Sequence, residues 1–314
     1  MNEFAIDVRQ LVKTFPGGLV ILNGLNLQIR RGSVYGLLGC NGAGKTTLLR
    51  LLLGLLHQDG GSLRVLGENP LGASASIKEK IAYVPQNFQL PIWMSPAELS
   101  GYWAHMSSRF SENRARDLVI RWDLPWNRKI SRLSYGEQRK LAIAMCFATQ
   151  PELMILDEPG EGFDLLSRKE LNSQIIEIVD EAPETTVLIS THQVSDLEKL
   201  ADHVGIMHEG SIPISMNLDE LLTTVRKVQF IFDEPVKMET IDLPGILKID
   251  ILGPVATALV KWHDDSLVRH FEMTHRVRVQ QFPLSLEELF LEIMENPGNV
   301  LEQWHQPNQF AIVA

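Results

Sequence analysis

Hydrophobic patterns typical of strands and of helices alternate along the chain, and together they predict its fold class. Near the amino terminus, Leu25, Leu27 and Ile29 alternate with polar residues, which indicates a half-buried antiparallel strand. Further along, short and continuously apolar runs predict strands that are buried on both faces. These runs cover residues 34–38, 81–84, 153–156 and 187–190, and residues 59–61 predict a turn after the first of them.

Helical patterns separate these strands. A leucine-rich segment at about residues 46–56 predicts a helix directly after the first buried strand, and a longer helical stretch follows at about residues 95–148. Strands that alternate with helices are typical of parallel sheets, because each helix returns the chain to the end where the next strand begins. The pattern therefore predicts an α/β protein with a mostly parallel sheet, an antiparallel β subdomain and a helical subdomain.

The pattern changes after about Met216, and this change predicts a second domain. Leu286, Leu289, Phe290 and Ile293 are spaced to form one apolar face of a helix. Short strands are expected before it at residues 227–232, 246–251, 256–262 and 276–281, and residues 265–273 are compatible with a further helix. The predicted boundaries are 1–218 for the first domain, 219–296 for a small α+β C-terminal domain, and 297–314 for a loosely ordered tail.

Composition and charge argue against several classes of protein. The 314 residues carry a formal net charge of −10, which argues against nucleic acid as a partner, since nonspecific binding depends on many Lys and Arg side chains. The two cysteines, Cys40 and Cys146, are too few for a disulfide framework and suit a reducing cytosol. The amino terminus lacks a signal-peptide pattern, and no apolar run reaches the ~20 residues that span a bilayer.

The first buried strand leads into a glycine-rich loop with chemistry of its own. Residues 39–46 follow the pattern G-x-x-x-x-G-K-T. Glycines allow consecutive backbone N–H groups to turn inward around a triphosphate, and Lys45 adds a positive charge at the outer phosphates. The order of strand, loop and helix is the context that this phosphate-binding motif requires.

Two other buried strands also end in polar residues. Asp157 and Glu158 follow one strand, and Thr191 and His192 follow the next. In an open parallel sheet, ligands bind outside the carboxyl ends of the strands, so these residues are expected to meet the phosphate loop in one crevice. An acidic strand end in solvent is the structural alternative for Asp157 and Glu158.

A third motif points to a family. Residues 133–137 read L-S-Y-G-E and lie between the phosphate loop and Asp157. In this order, the three motifs resemble those of the nucleotide-binding domain of ABC-type ATPases, whose diagnostic element is an L-S-G-G-Q-like stretch. The resemblance implies a P-loop NTPase core, ATP as the ligand, Mg²⁺ as the cofactor and ATP hydrolysis as the reaction.

The resemblance also implies roles for individual residues. Glu158 is expected to be the general base for the attacking water, and His192 to hold the γ-phosphate. Gln86 is expected to reach Mg²⁺ or that water, and Lys45 to neutralise phosphate charge. The implied Mg²⁺ ligands are Thr46, Gln86 and Asp157. The implied ATP-binding residues are Phe15, Gly39, Asn41, Gly42, Ala43, Gly44, Lys45, Thr46, Thr47, Ser134, Gly136 and Asp164.

Structural roles stay open for some of these residues. Phe15 is expected to stack on adenine, but a residue so close to two glycines also suits packing within a turn. A glutamine in a surface loop is the structural alternative for Gln86. A separate metal site at paired histidines is disfavoured, because no Cys or carboxylate partner lies at ligand spacing. These pairs are His203 with His208, and His270 with His275.

The L-S-Y-G-E segment departs from the family pattern at two positions. Tyr135 replaces a glycine and Glu137 replaces a glutamine, whereas Ser134 and Gly136 are retained. In the family, the two retained residues touch the γ-phosphate of the nucleotide bound to the opposite subunit, and the residue matching Asp164 lies at the dimer seam. The resemblance therefore implies a homo- or heterodimer that encloses two ATP molecules.

Two further segments bear on partners and location. Residues 283–290 resemble the closing segment of the C-terminal domain in the drug-, lipid- and polysaccharide-exporting branch of the family. Residues 87–105, next to Gln86, carry an apolar cluster suited to a partner's helix, although internal packing accounts for some of its members. The cluster consists of Leu90, Ile92, Trp93 and Met94. We therefore expect a peripheral protein at the cytoplasmic face of the cell membrane that drives separate transmembrane permease subunits.

Other functions fit the sequence less well. A soluble ABC ATPase acting on ribosomes or DNA is the main alternative, but such proteins usually carry two cassettes or long coiled coils, and neither is present. A nucleotide-gated scaffold with little turnover conflicts with the presence of Lys45, Glu158 and His192. A simple kinase or GTPase leaves the L-S-Y-G-E segment unexplained.

Overall fold

The computed structural model describes residues 3–234, 245–261, 271–272 and 277–305. The chain forms two compact units, Met1–Ser215 and Met216–Ala314. Up to residue 217 the strands are β1 (Phe4–Phe15), β2 (Leu19–Arg30), β3 (Val34–Gly39), β4 (Gly60–Val65), β5 (Ile81–Val84), β6 (Leu153–Asp157), β7 (Thr186–Thr191), β8 (His203–His208) and β9 (Ser211–Asn217). The helices of the first unit are α1 (Lys45–Leu52), α2 (Ala75–Lys78), α3 (Pro96–Met106), α4 (Glu112–Arg121), α5 (Tyr135–Ala148), α6 (Leu165–Glu181) and α7 (Val194–Leu200).

Two sheets organise the first unit. Strands β2, β1 and β4 form an antiparallel sheet in that order. The second sheet has the order β5-β6-β7-β3-β8-β9, and parallel ladders join its first five strands. Helices α3, α4 and α5 occupy the segment predicted to be helical. The predicted fold class, an α/β core with a mostly parallel sheet and an antiparallel β subdomain, is confirmed.

The register of the parallel sheet brings three strand ends to one edge. Strand β7 lies between β3 and β6. Leu38 near the end of β3 is paired with Thr191 of β7, and Asp157 at the end of β6 is paired with Ser190 of β7. All three strands run in the same direction, so the segments that follow them leave the sheet side by side.

Helix α1 is fixed by its apolar face. Leu48, Leu49, Leu51 and Leu52 are completely buried in a core that also includes side chains from β1, β2, β3 and β6. Burial of one leucine side chain contributes about 1.5–3 kcal/mol relative to its exposure to water. The packing of this short helix therefore holds its amino-terminal end, with Lys45, at the edge where the strands end.

The second unit contains a four-stranded antiparallel sheet. Helix α8 (Leu218–Thr224) leads into β10 (Val225–Ile231), β11 (Ile246–Leu252), β12 (Val255–Lys261) and β13 (Arg278–Phe282), whose order in the sheet is β11-β12-β10-β13. The rings of Phe230 and Phe271 meet edge to face, with centroids 5.1 Å apart. Helices α9 (Leu286–Glu295) and α10 (Pro297–His305) follow. The four predicted strands and the helix predicted from Leu286 are present.

Some elements differ from their predictions. Helix α1 ends at Leu52 rather than near residue 56, because Gly54 adopts a left-handed conformation with a φ of 67° and turns the chain. The predicted turn at residues 59–61 is shorter, since Gly60 already begins β4. Strands β4, β8 and β9 and helices α2, α7 and α8 were not predicted. The helix considered for residues 265–273 lies largely outside the described residues, as do residues 262 and 276 of two predicted strands.

The expectation of a loosely ordered tail after residue 297 is wrong as far as His305. Pro297 is the first residue of α10, where the fixed φ of proline suits the first helical turn. Val300 and Trp304 lie one turn apart on this helix, and both are buried. Residues 306–314 lie outside the described part of the chain.

Among the described residues, no helix is both long enough and apolar enough to cross a membrane.

Trp304 offers a test of the order in this last helix. Its side chain is 9% exposed, and the ammonium group of Lys261 lies 5.0 Å from the centre of its ring. We expect Trp304→Ala to lower the free energy of unfolding of the second unit by about 3 kcal/mol, because it removes a buried ring and a cation–π contact. Urea denaturation followed by circular dichroism measures this change.

The matched control is Leu252→Ala, since Leu252 is 84% exposed and its replacement should change stability by less than about 0.5 kcal/mol. Equal effects of the two substitutions would contradict the packing of Trp304.

Candidate functional site

The predicted phosphate loop forms the turn between β3 and α1. Gly42 and Gly44 have φ angles of 86° and 109°, a conformation that glycine adopts without strain. Helix α1 begins at Lys45, and Gly44 provides no side-chain cap for it. The N–H groups of its first turn are therefore available to an anion, which the helix dipole also favours.

A cavity of about 240 Å³ lies at this loop. It brings together eight of the predicted site residues: Asn41, Gly42, Gly44, Lys45, Thr46, Thr47, Gln86 and Glu158. Two lining residues, Ile21 and Cys40, were not among the predicted site residues. Gly39 and Ala43 support the loop through their backbones, since Gly39 accepts a hydrogen bond from Lys45 and the N–H of Ala43 donates to the carbonyl of Cys40 at 3.2 Å.

Lys45 is held by buried partners. Its side chain is almost fully buried, and its Nζ donates to the carbonyl of Gly39 at 2.6 Å. The same atom lies 3.3 Å from Oε1 of Glu158, which is also buried. Because both ions are removed from water, solvent screens their attraction only weakly. This ion pair joins the phosphate loop to the end of β6.

Glu158 follows β6 and contacts residues that follow the other two strands, Lys45 after β3 and His192 after β7. Its Oε2 lies 2.9 Å from Nδ1 of His192 and accepts a hydrogen bond from the backbone N–H of His192 at 3.3 Å. Its own N–H donates to the carbonyl of Ser190 at 2.9 Å. Glu158 has a positive φ of 49°, which is uncommon for a residue with a side chain. The contacts with Lys45 and β7 hold it in this conformation.

Asp157 lies at the end of β6 and is almost completely buried. The hydroxyl of Ser190 donates to its Oδ1 across the parallel ladder. Burial raises the pKa of Asp157 above its usual value, the hydrogen bond from Ser190 opposes this shift, and the charge of Glu158 adds to it. A carboxylate in this environment is stabilised by a nearby cation.

The L-S-Y-G-E segment does not line the cavity. Ser134 caps α5, where its Oγ accepts a hydrogen bond from the N–H of Glu137 at 3.2 Å. In return, the carboxylate of Glu137 accepts one from the N–H of Ser134 at 2.7 Å. This capping box gives the glutamate that replaces glutamine a structural role. Gly136 faces the ring of Phe163, and an added Cβ would come within 3.3 Å of that ring.

Asp164 and Phe15 are not among the cavity-lining residues either. Asp164 caps α6 by accepting hydrogen bonds from the N–H groups of Leu166 and Ser167 at 2.9 and 3.0 Å. The hydrogen bonds from Ser167 lower the pKa of Asp164. Phe15 ends β1, and the ammonium group of Lys13 lies 5.5 Å from the centre of its ring. These contacts involve no ligand, so the ATP-binding roles of both residues stay predictions.

The predicted Mg²⁺ ligands have the right chemistry for that ion. Thr46 and Gln86 line the cavity, and Asp157 immediately precedes Glu158. Hydroxyl, amide and carboxylate oxygens suit Mg²⁺, and an ion that also binds phosphate needs only one or two carboxylates from the protein. The burial of Asp157 fits as well, because a cation would stabilise its ionised form.

The histidine pairs gain no support as a separate metal site. Within the ranges that the structure describes, no group of three or more His, Cys, Asp or Glu side chains is arranged to hold a metal ion. This applies to His203 and His208. The other pair, His270 and His275, lies outside the described residues.

Two residues that contact Asp157 were not predicted from the sequence. One is Ser190, which donates to its carboxylate, and the other is Tyr83, whose pKa is raised to about 12 by burial and by the charge of Asp157. Ser190 is a polar residue at the end of the apolar run 187–190, and this position was a signal in the sequence that its side chain could have a role. Its partner follows only from the strand order, which pairs Asp157 with Ser190.

Known proteins resemble this chain over much of its length. A family model described as ABC transporter matches residues 22–161. The ABC transporter ATP-binding protein YtrB of Bacillus subtilis (strain 168) is 30% identical over 286 residues, which cover 91% of this chain and 97% of that protein. The bacitracin transport ATP-binding protein BcrA of Bacillus licheniformis is 31% identical over 71% of this chain and 72% of its own length.

The fold is also found in solved structures. The structure of cbiO1 from Clostridium perfringens, part of the ABC transporter complex cbiONQ, is similar with a TM-score of 0.61 at 26% identity. The match covers 71% of this chain and 92% of that one.

Cys40 provides a chemical test of the cavity. It is exposed and lines the cavity, whereas Cys146 is buried and its pKa is raised to about 12 by that burial. A maleimide reacts with accessible thiolate, so it should label Cys40 first and fill space at the phosphate loop. We expect alkylation to abolish ATP binding, and bound ATP with Mg²⁺ to protect the thiol. The measurement is ATPase activity after alkylation, with Cys40→Ser as the control. Inactivation of Cys40→Ser at the wild-type rate would show that the sensitive group lies elsewhere.

Proposed function

The chain belongs to the family of ABC transporter ATP-binding proteins, and we propose that it is the ATP-hydrolysing subunit of an exporter. The observation that carries this proposal is the meeting of Lys45, Glu158 and His192 at one edge of the parallel sheet, next to a cavity that Thr46 and Gln86 also line. These residues bring a phosphate-binding site, a buried carboxylate and oxygen ligands for a metal ion close together. A relative from Burkholderia lata, 32% identical over 65% of this chain and 68% of its own length, is named Nod factor export ATP-binding protein I, and this name supports export as the direction.

In the proposed mechanism, the site residues divide phosphate binding, proton transfer and metal binding among them. Lys45 and the open N–H groups of α1 bind the phosphates of ATP and neutralise their charge. Glu158 takes the proton of the attacking water, and His192 contacts the γ-phosphate. Gln86 orients that water. Thr46, Gln86 and Asp157 would hold Mg²⁺, which would supply positive charge to offset the negative charge of the phosphates.

The ion pair of Lys45 and Glu158 gives ATP binding a second effect. Phosphate oxygens compete with Glu158 for the ammonium group of Lys45, which lies 3.3 Å from that carboxylate. Once Lys45 binds phosphate, Glu158 keeps its contact with His192 and is free to accept a proton. Substrate binding therefore prepares the base as well as the phosphate site.

The proposed active form is a homo- or heterodimer. Ser134 and Gly136 lie away from the cavity of their own chain, which fits a role toward the nucleotide of a second subunit. Ser134 stands at the amino-terminal end of α5, a helix end that favours negative charge. Asp164 and the strongly exposed Leu165 and Leu166 at the start of α6 are proposed to lie at the dimer seam.

Separate permease subunits are the proposed membrane partners. A second cavity of about 560 Å³ has aromatic and apolar walls that include Tyr83, Tyr102, Trp103 and Met106. Nearby in the sequence, Ile92 and Trp93 are exposed, whereas Leu90 and Met94 are partly covered. Exposed apolar groups of this kind mark interaction surfaces. We propose that a permease helix docks here, which places the chain at the cytoplasmic face of the membrane.

The first test of the mechanism is Glu158→Gln. The amide keeps the size of the side chain but cannot take a proton, so turnover should fall by about 10²–10⁴-fold while ATP binding is retained. The variant should also trap an ATP-bound dimer that elutes early in size exclusion. Glu177→Gln on the exposed face of α6 is the control and should hydrolyse ATP normally. Hydrolysis by Glu158→Gln at the wild-type rate would remove Glu158 from the mechanism.

The second test is Lys45→Ala. The lysine charge acts on bound ATP and on the transition state alike, so both affinity and turnover should fall, with the dissociation constant rising about tenfold or more. Isothermal titration calorimetry with a non-hydrolysable ATP analogue measures the affinity. Lys199→Ala, at an exposed position of α7, serves as the control. Unchanged affinity in Lys45→Ala would contradict the phosphate site.

A further inference from the structure

A buried arginine connects two segments that the proposed function uses. Arg139 lies on α5 and is completely buried. Its Nη1 donates to the carbonyl of Pro85 at 3.2 Å, and its Nη2 donates to the carbonyl of Gln86 at 2.7 Å. A guanidinium ion away from water is costly unless its donors find acceptors. The carbonyls of residues 85 and 86 therefore stabilise Arg139, and Arg139 in turn fixes the backbone that carries Gln86.

Tyr135 completes this contact. Its hydroxyl accepts a hydrogen bond from Nη2 of Arg139 at 2.7 Å and donates to the carbonyl of Gln86 at 3.4 Å. The guanidinium also lies over two aromatic rings, 4.8 Å from the centre of Phe88 and 5.5 Å from that of Tyr135. These rings are 5.8 Å apart. The tyrosine that departs from the family pattern thus binds the arginine through its hydroxyl and its ring.

The two ends of this network lie at different sites. Gln86 lines the cavity at the phosphate loop, whereas Tyr135 is the first residue of α5 and follows its cap, Ser134. A movement of the start of α5 would pull on the carbonyls of residues 85 and 86, because the planar guanidinium holds both of them at once. Tyr135 belongs to the segment proposed to contact the second subunit's nucleotide, and Arg139 fixes the backbone of Gln86. These two residues are one helical turn apart on α5.

We propose that Arg139, together with Tyr135, is a positioning residue that holds Gln86 at the cavity and ties its position to the start of α5. The inference rests on the proposed role of Gln86 in hydrolysis and adds a route by which the L-S-Y-G-E segment acts on it. Neither residue touches the reacting atoms. The network acts through the backbone of residues 85 and 86.

A double-mutant cycle tests the catalytic part of the inference. Arg139→Met, Gln86→Ala and the double variant are compared by kcat and KM for ATP. We expect Arg139→Met to lower kcat on the order of tenfold with little change in KM, because a displaced Gln86 affects the reaction more than ground-state binding. In the Gln86→Ala background, Arg139→Met should cause less than about a twofold further loss. An equal loss in both backgrounds would overturn the positioning role.

Hydrogen exchange tests, without relying on turnover, the tie that Arg139 forms by hydrogen bonding to the carbonyls of residues 85 and 86. Amides in residues 84–88 should exchange about tenfold faster or more in Arg139→Met than in the wild type, both without nucleotide. The control is Arg121→Met, which removes a partly exposed arginine of α4 that pairs with Glu177 and Glu181. Its exchange in residues 84–88 should match the wild type. Unchanged exchange in Arg139→Met would overturn the tie even if Gln86 acts as proposed.

Two further results separate this inference from the proposed function. Normal hydrolysis by Gln86→Ala would remove Gln86 from the mechanism and with it the catalytic role of Arg139, while the exchange experiment would still report on the tie. If Arg139→Met does not fold, Tyr135→Phe removes a single hydroxyl from a half-exposed side chain. It should lower kcat about threefold, and this loss should disappear in the Gln86→Ala background. Persistence of the loss there would contradict the inference.

Discussion

The buried ion pair of Lys45 and Glu158 is the interaction on which the candidate site depends. Removing two charges from water is costly, so such a pair persists only where further hydrogen bonds support both ions. Here the carbonyl of Gly39 supports the lysine and His192 supports the glutamate. Each support comes from a different strand end, so the pair exists because β3, β6 and β7 are parallel neighbours. The fold thus creates the electrostatic environment that ATP enters.

The same geometry concentrates negative charge where Mg²⁺ is proposed to bind. Asp157 and Glu158 are adjacent and both buried, and burial raises the pKa of Asp157. The hydrogen bond from Ser190 to Asp157 and the positive charge of Lys45 beside Glu158 offset part of the cost of burying these two carboxylates. In the proposed cycle, Asp157 would hold Mg²⁺, and Lys45 would bind the phosphate oxygens of ATP. Once Lys45 binds phosphate, Glu158 is free to accept a proton, which links substrate binding to the chemical step.

Much of the fold was readable from the sequence because its signals are local. The alternation of apolar runs with helical patterns predicted the parallel sheet, and the glycines of the phosphate loop predicted the turn before α1. The remaining features depend on tertiary contacts. The ends of α1 and α10 reflect the backbone turn at Gly54 and the burial of Val300 and Trp304. The contacts of Ser190 and Arg139 follow from strand order and helix packing, which no local pattern encodes.

In the proposed mechanism, Glu158 restrains Lys45 until nucleotide binds, and calorimetric binding of an ATP analogue tests this restraint. The dissociation constant of Mg²⁺-bound AMP-PNP is measured for the wild type, Glu158→Gln, Lys45→Ala and the double variant. If the pair holds the lysine, Glu158→Gln should bind about 3- to 10-fold more tightly than the wild type, and this gain should vanish when Lys45 is absent. An equal gain in both backgrounds would mean that Glu158 only repels phosphate and does not restrain Lys45.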